Sequence, residues 1–254
     1  MNPNLLEIQS ISKAFGGLKA VSKFDLQVKE RDIIGIIGPN GAGKTTLFNL
    51  MTGFIHPDSG DVILKGENIT RLKPFQVVNR GMARTFQLVD LFKELTVLEN
   101  MMIPCFSHRA CGKRSDACPP GKKEEKCYES AMKFLEEVGL GERFNEKAEN
   151  LAFGELRLLD IGRAMATQPD ILLLDEPFSG LDVQDTEILT LAIKKMQQQG
   201  QTMIIIEHRL REFLKLVERV VAIVFGEKIA EGTPQEIMNN QKVIDAYLGD
   251  KGVD

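Results

Sequence analysis

A glycine-rich stretch with a lysine and two threonines, residues 38–46, carries the residue types of a phosphate-binding loop. It reads Gly-Pro-Asn-Gly-Ala-Gly-Lys-Thr-Thr and follows an apolar run at 33–37. Glycines let backbone amides turn inward around phosphate oxygens, and the helix that follows presents its positive N-terminal end to them. Lys44 would reach the β- and γ-phosphates, and the Thr45 hydroxyl would bind Mg²⁺. The motif predicts a nucleoside triphosphate site formed by Gly38, Pro39, Asn40, Gly41, Ala42, Gly43, Lys44, Thr45 and Thr46.

Two adjacent carboxylates, Asp175 and Glu176, end a second apolar run at 171–174. A carboxylate at the carboxyl end of a parallel strand lies beside the P-loop in such sheets, where it can hold Mg²⁺ through water. A second carboxylate next to it can polarise an attacking water. The pair therefore predicts a hydrolytic site.

The elements that must position these groups follow from hydrophobic periodicity. Residues 5–9 and 24–29 alternate, as half-exposed antiparallel strands do. The continuous apolar runs at 171–174 and 202–206 are typical of parallel strands covered on both faces, and 184–199 reads as the crossover helix between them. Together these patterns predict an α/β fold with an antiparallel addition.

Helical spacing dominates the middle of the chain. A helix is expected from the P-loop to about Met51, and a short one over Pro74–Arg80. Residues 88–167 read as largely helical, interrupted by an exposed loop at 107–127 that holds six Lys/Arg against three Asp/Glu. A capping box at Thr233 predicts the start of a final helix.

The net charge of −4 gives no global basic field to hold nucleic acid. The N-terminus lacks a signal-peptide pattern, and no run approaches the length of a membrane span, so a cytosolic protein with an optional peripheral membrane partner is expected.

Four cysteines lie close together without a C-x-x-C pair, so reduced thiols are expected, with a metal or redox site as the open alternative. These cysteines are Cys105, Cys111, Cys118 and Cys127.

Several further segments, together with the P-loop and the acidic pair, resemble the ATP-binding cassette (ABC) ATPases in order and spacing from about residue 5 to 235. They are Phe15, where the family stacks an aromatic on adenine; Gln87, the Q-loop glutamine; Leu151-Ala-Phe-Gly-Glu, the signature; Ser179-Gly-Leu-Asp182, the D-loop; and His208, the switch histidine. The resemblance implies a P-loop NTPase (ABC ATPase) core with an antiparallel β-subdomain and an inserted α-helical subdomain. It implies one domain over 1–254, with 1–87 and 168–254 as the core and 88–167 as the helical subdomain.

The resemblance also implies roles. Glu176, His208, Gln87 and Lys44 would serve catalysis, with Glu176 activating water and His208 contacting the γ-phosphate. Thr45, Gln87 and Asp175 would hold Mg²⁺. Phe15 would stack on adenine, with Val21 beside it as a further nucleotide contact.

The signature departs from the usual Leu-Ser-Gly-Gly-Gln, because Ala152 replaces the serine and Phe153 replaces a glycine. In the family, the signature of one subunit closes over the ATP of another, so a homo- or heterodimer with two shared sites is expected. The residues expected to act in trans are Ala152, Phe153, Gly154, Glu155 and Asp182. Loss of one hydroxyl should weaken this nucleotide sandwich without abolishing it.

The runs Gly81-Met-Ala-Arg-Thr-Phe-Gln and Val243-Ile-Asp-Ala-Tyr-Leu-Gly are similar to those of branched-chain amino-acid importer ATPases. This similarity implies transmembrane permease subunits, a substrate-binding protein and a place on the cytoplasmic face of the inner membrane. Urea importers share much of the pattern. An ATPase of a lipid or polysaccharide exporter, a soluble ABC protein acting on ribosomes or DNA, and a nucleotide-gated dimerising module with weak hydrolysis are the alternatives.

Overall fold

The computed structural model describes residues 4–105, 122–208 and 213–249. The chain divides into two compact units. Unit 1 comprises Met1–Val77 with Gln197–Asp254, and unit 2 comprises Val78–Met196.

Unit 1 contains an antiparallel sheet near the start of the chain. Its strand order is β2-β1-β4-β5, and in this register Leu6 lies opposite both Val28 and Leu64. Alternate side chains of these strands are buried, which confirms the half-exposed strands expected from the period-two pattern. The strands are β1 (Leu6–Phe15), β2 (Leu18–Val28), β4 (Ser59–Leu64) and β5 (Glu67–Asn68).

The remaining strands of unit 1 centre on β3 (Ile33–Ile37), which is buried along its whole length. It pairs in parallel with β8 (Thr202–Ile206) on one side and with β9 (Arg219–Val224) on the other, and β9 pairs antiparallel with β10 (Glu227–Gly232). Because β3 and β8 run in parallel, the residues that follow them emerge at the same edge. This edge carries both the P-loop and His208.

The helices of unit 1 follow their strands closely. The helix after the P-loop and the short proline-opened helix lie where the sequence predicts them. Unit 1 holds α1 (Lys44–Met51), the start of α2 (Pro74–Arg80), α7 (Pro234–Met238) and α8 (Gln241–Gly249).

Unit 2 pairs two short parallel strands and contains the long helices. In register, Met82 lies opposite Ile171 and Arg84 opposite Leu173. Its elements are β6 (Met82–Arg84), α3 (Val97–Cys105), α4 (Lys122–Glu137), two 3₁₀ turns at Gly141–Arg143 and Ala148–Asn150, α5 (Phe153–Ala166), β7 (Ile171–Asp175) and nearly all of α6 (Val183–Gln198).

Helices α3, α4 and α5 pack on one another in unit 2. Buried apolar side chains from all three form the core, among them Met101, Leu135 and Ile161. Gly162 of α5 lies against the flexible end of Met101 in α3, since a Cβ at this position would lie 2.6 Å from the Met101 Cε atom.

Helical structure begins later than predicted in the segment after residue 88. Residues 88–96 are irregular, and α3 starts only at Val97. Thr96 and Glu99 form a capping box, in which the Glu99 amide donates to Thr96 Oγ1 at 3.1 Å and the Thr96 amide donates to Glu99 Oε2 at 2.7 Å. The buried Asn100 amide donates to the carbonyls of Phe92 and Thr96, which holds the preceding chain in a turn.

Two other expectations need correction. The predicted loop at 107–127 is wrong for its last residues, since α4 already begins at Lys122. Lys and Glu are good helix formers, and buried Cys127 starts the apolar stripe that Ala131 and Leu135 continue.

The predicted final helix is two helices, because Asn240 Oδ1 accepts from the Lys242 amide at 3.0 Å and so starts a new helix.

The remainder of the 107–127 loop, including Cys111 and Cys118, lies outside the described residues. Within the described ranges, no helix is both long and apolar enough to cross a bilayer. The described parts of the predicted helical subdomain, 88–105 and 122–167, lie in unit 2. The division of the chain at residues 87 and 168 stays a prediction.

Candidate functional site

The P-loop in unit 1 is built by its backbone. Gly41 and Gly43 adopt left-handed φ angles of 75° and 101°, which favour glycine because a Cβ is strained there. A Cβ at Gly38 would lie 2.1 Å from the Ile223 carbonyl oxygen. The first turn of α1 carries no acidic residue and no side-chain cap, which suits the start of this helix to binding an anion.

Lys44 supplies the cation of the loop. Its side chain is 6% exposed, and Nζ donates to the Gly38 carbonyl at 2.7 Å and to the Pro39 carbonyl at 2.9 Å. These bonds hold the ammonium over the same loop that presents the amides. Thr45, the next residue, is exposed. A positive charge, amide donors and an available hydroxyl therefore meet within one short segment, as polyphosphate binding requires.

Phe15 and Val21 differ in exposure. Phe15 ends β1, is 47% exposed and has the Lys13 Nζ atom 5.5 Å from its ring centroid. Val21 is buried in β2. Phe15 thus offers an open aromatic surface to a base, whereas Val21 is part of the core. Their roles in nucleotide binding stay predictions.

His208 follows β8 at the edge that carries the P-loop. Its ring is partly exposed, and its backbone amide donates to Oε2 of the fully buried Glu207 at 3.1 Å. The Glu207 amide in turn donates to the Ile36 carbonyl at 3.3 Å. These bonds tie the backbone at His208 to β3, the strand that leads into the P-loop.

In unit 2, Asp175 ends β7 and is paired with Arg84 of β6. Arg84 Nη2 lies 2.6 Å from Asp175 Oδ2, and both side chains are 4% exposed. Burial lowers the pKa of Arg84, while the hydrogen bond to Asp175 opposes that shift. A buried charge pair of this kind is costly to break because it leaves one charge without compensation.

Glu176 follows in a strained backbone conformation, with a φ of 47° that few non-glycine residues adopt. Its Oε2 atom accepts a hydrogen bond from the Gln87 side-chain amide at 2.9 Å. The structure thus brings together two of the residues predicted to serve hydrolysis. Strain at a single carboxylate that another functional side chain contacts is typical of active sites.

The signature segment begins α5. Ala152 occupies the N-cap without a side-chain acceptor, but the Glu155 carboxylate accepts from the Ala152 amide at 2.8 Å. Only the return half of a capping box therefore exists. Glu155 also accepts from Arg143 Nη1 at 2.5 Å, so within this chain its carboxylate holds the helix start in place.

The D-loop packs against the signature. A Cβ at Gly154 would lie 2.3 Å from the Asp185 carboxylate carbon, and one at Gly180 would lie 3.0 Å from the Phe153 ring. Asp182 caps α6, since its Oδ1 accepts from the Asp185 amide at 2.8 Å. Phe153 is accommodated because the D-loop has a glycine opposite its ring.

The donor set predicted for Mg²⁺ fits that ion. Thr45, Gln87 and Asp175 offer hydroxyl, amide and carboxylate oxygens, the ligands Mg²⁺ takes when substrate phosphates and water complete its shell. In the described parts of the chain, no group of three or more His, Cys, Asp or Glu side chains could hold a metal. That Thr45, Gln87 and Asp175 hold one Mg²⁺ together stays a prediction.

Comparison with known families decides the identity of the fold. Residues 21–179 match the family model described as ABC transporter, and residues 227–253 match that described as branched-chain amino acid ATP-binding cassette transporter. The chain belongs to the ABC transporter family. The predicted ABC ATPase fold and the ATPase assignment are thereby confirmed.

Individual relatives agree over nearly the whole chain. The chain is 39% identical to the high-affinity branched-chain amino acid transport ATP-binding protein LivG of Salmonella typhimurium, over 98% of this chain and all of that protein. It is 40% identical to BraF of Pseudomonas aeruginosa, with the same coverage. A nucleotide-free ATP-binding cassette from an ABC transporter superposes with a TM-score of 0.84 at 31% identity, covering 96% of this chain and 98% of that one.

Two buried arginines in unit 2 were not predicted from the sequence. Arg84 stands in the Arg-Thr-Phe-Gln run that carries the family resemblance, but no role was expected for it. Arg157, one turn into α5, donates from both terminal nitrogens to the segment that carries Gln87. Nothing in a single sequence separates such arginines from solvated ones, because their partners lie 91 and about 70 residues away in the chain.

Proposed function

We propose that this chain is the ATP-hydrolysing subunit of a membrane transporter that imports branched-chain amino acids or a similar small polar solute. The observation that carries the proposal is the set of P-loop, Gln87–Glu176 and signature features in a chain about 39% identical to the LivG protein over its full length. The substrate is inferred from the names of relatives, since none of the described site residues selects a solute.

In this proposal Lys44 and the amides at the start of α1 bind the β- and γ-phosphates of ATP, and Phe15 stacks on adenine. Glu176 orients and deprotonates the attacking water, Gln87 holds the Glu176 carboxylate, and His208 contacts the γ-phosphate. Mg²⁺, held by Thr45, Asp175 and Gln87, would neutralise charge on the transferred phosphoryl group when bound. Positioning and electrostatic stabilisation account for most of the rate enhancement.

The proposed assembly is a pair of ATP-binding subunits docked on two permease chains at the cytoplasmic face of the inner membrane. A second ATPase subunit is needed because the signature, with Ala152, Phe153, Gly154, Glu155 and Asp182, acts on the nucleotide of its neighbour in this family. Large apolar side chains on unit 2 stay exposed and support a docking role for this unit. They are Leu88, Phe92, Ile103 and Tyr128.

The test is capture of partners by the tagged Glu176→Gln chain with MgATP from detergent-solubilised membranes, followed by mass spectrometry. The Lys44→Ala chain, in which ATP affinity should be about 10- to 100-fold lower, is the matched control. Recovery of two permease chains and a second ATPase with the first variant supports the importer. Export-type membrane subunits, or soluble partners such as ribosomal proteins alone, would contradict it.

The composition of the captured complex then allows a test of the substrate. The partners identified in this way, reassembled with the wild-type chain and the binding protein, should hydrolyse ATP faster when leucine, isoleucine or valine is present than when urea is present. Stimulation by urea, or equal rates with all of these solutes, would contradict the branched-chain amino acid assignment.

A further inference from the structure

Arg157 of α5 is the most completely buried arginine among the described residues, with 1% of its surface exposed. Arginine is almost never fully buried unless it is paired. Its Nη1 atom donates to the Phe86 carbonyl and its Nη2 atom to the Gln87 carbonyl, both at 2.9 Å. One planar guanidinium thus binds two successive carbonyls, a geometry that lysine cannot reproduce.

These carbonyls belong to residues 85–90, the Q segment, which forms neither helix nor strand. The segment starts at the Thr85 amide, which donates to the Leu173 carbonyl of β7. Two arginines of α5 then bind its carbonyls: Arg157, and Arg163, whose Nη1 donates to the Asp90 carbonyl at 3.0 Å. A segment without regular structure takes its position from such contacts.

The Q segment in turn positions the hydrolytic carboxylate. Its Gln87 amide donates to Glu176 Oε2 at 2.9 Å, and Glu176 lies at a strained φ of 47°. Because Arg157 binds the carbonyl of Gln87 itself, a shift of Arg157 moves the backbone from which this amide extends. Arg163 binds the carbonyl of Asp90, three residues further along, so a shift of Arg163 does not act directly on the backbone of Gln87.

At its other side Arg157 meets the signature. The Phe153 ring, one turn earlier in α5, has its centroid 5.7 Å from the guanidinium carbon, within the range of a cation–π contact. The same ring lies against Gly180 of the D-loop. Arg157 therefore contacts both the residue that departs from the signature consensus and the backbone of the Q-loop glutamine.

We infer that Arg157 is a positioning residue that couples the start of the signature helix to Gln87, and through Gln87 to Glu176, within one chain. The inference rests on the hydrolytic roles proposed above for Gln87 and Glu176. The inference also explains the presence of Phe153. An aromatic ring at this position fixes the plane of the Arg157 guanidinium, which a glycine would leave unsupported.

The experiment compares Arg157→Met, Arg157→Lys and the control Arg163→Met, which removes a bond to the same segment from the same helix. Hydrogen exchange of the peptides that cover the Q segment measures how firmly this segment is held in the nucleotide-free chain. ATP affinity and kcat are measured on the chain with its partner subunits, and thermal unfolding identifies any variant that fails to fold.

We expect faster exchange and a kcat about 10- to 100-fold lower for Arg157→Met, with ATP affinity within about two-fold of wild type. Arg157→Lys should fall between, and Arg163→Met should keep most of the activity.

A double-mutant cycle with Gln87→Ala keeps the inference testable if Arg157→Met is unstable, because Arg157→Lys can take its place. If Arg157 acts through Gln87, the double variant should have nearly the kcat of Gln87→Ala alone. Multiplicative losses, or equal effects of the Arg157 and Arg163 variants on kcat, would overturn the inference. Unchanged kcat in Gln87→Ala and Glu176→Gln alone would instead overturn the proposed hydrolytic roles.

Discussion

The P-loop at residues 38–46 and the signature segment at 151–155 both present backbone amides at the start of a helix, but they are held in place differently. In the P-loop, glycine conformations and the bonds from Lys44 to two carbonyls of its own loop define the shape. In the signature, the helix start depends on Arg143, on Asp185 and on Gly180, which are distant in sequence.

This difference explains why one motif follows its consensus and the other does not. A loop whose glycines adopt left-handed φ angles or, like Gly38, pack against another backbone carbonyl has few residue types that fit. A helix start held by neighbouring side chains can lose its serine and exchange a glycine for Phe153, provided the neighbours adapt. The predictions below disturb each region in turn.

The largest effect is expected from the P-loop. Lys44→Ala removes the cation that would face the phosphates, and ATP affinity should fall by about 10- to 100-fold, since hydrogen bonds to charged groups are worth roughly 1.5–3 kcal/mol. Equilibrium binding of a fluorescent ATP analogue measures this. Lys29→Ala, an exposed lysine of unit 1, is the control and should bind as wild type. Unchanged affinity in Lys44→Ala would contradict the P-loop assignment.

Gly154→Ala tests whether the signature depends on its neighbours. The new Cβ would lie within 2.5 Å of both Asp185 carboxylate oxygens, so we expect a loss of about 2–3 kcal/mol in the free energy of unfolding, measured with urea. Asp185→Ala in the same chain should restore most of this loss. Equal stability of Gly154→Ala and wild type would show that the signature tolerates a side chain there.

A pH-dependent effect is expected from Asp160 in the middle of α5. Burial raises its pKa from 3.8 to about 6, although Arg163 and Arg157 oppose the shift and Asp90 adds to it. Its contribution to stability is therefore fully present below about pH 4 and is lost as pH rises through 6. Asp160→Asn should unfold like wild type at pH 4 and be more stable at pH 8, by roughly 2 kcal/mol. Urea unfolding at both pH values decides this, and a gain of equal size at pH 4 would contradict the assigned cause.

The smallest effect is expected from Ala152→Ser, which restores the missing half of the capping box. A serine hydroxyl would accept from the Glu155 amide and stabilise the chain by about 1 kcal/mol. Thermal unfolding tests this against Ala152→Val, which adds bulk but no acceptor, as the control. A destabilised Ala152→Ser variant would mean that the Arg143–Glu155 contact excludes a larger residue at the N-cap.

The parts of the fold that depend on local signals could be predicted from the sequence. The P-loop with α1, the helix at Pro74–Arg80 and the buried strands at 171–175 and 202–206 each combine a strong periodicity with a turn or proline signal. Residues 88–96 could not be predicted as irregular, because that turn depends on the buried amide of Asn100. The three-residue strand β6 was missed because it is too short to show a period.

The candidate site likewise contains residues that the sequence predicts and contacts that it does not. Residue types and spacing predict Lys44 and Glu176, and the family resemblance adds Gln87, because the chemistry limits which side chains can serve. Spacing gives no sign that Arg84 pairs with Asp175 or that Arg157 binds the Gln87 carbonyl, because these contacts form only when distant segments pack together. The left-handed backbone at Glu176 is likewise a tertiary effect.

The central claim is that the P-loop binds ATP and that Glu176 is needed to hydrolyse it. Its most direct test is ATP turnover by Glu176→Gln, measured with the partner subunits and beside ATP binding on the same preparation. We expect binding close to that of wild type and a rate at least about 100-fold lower, the contribution typical of a general base. Turnover at the wild-type rate would contradict it.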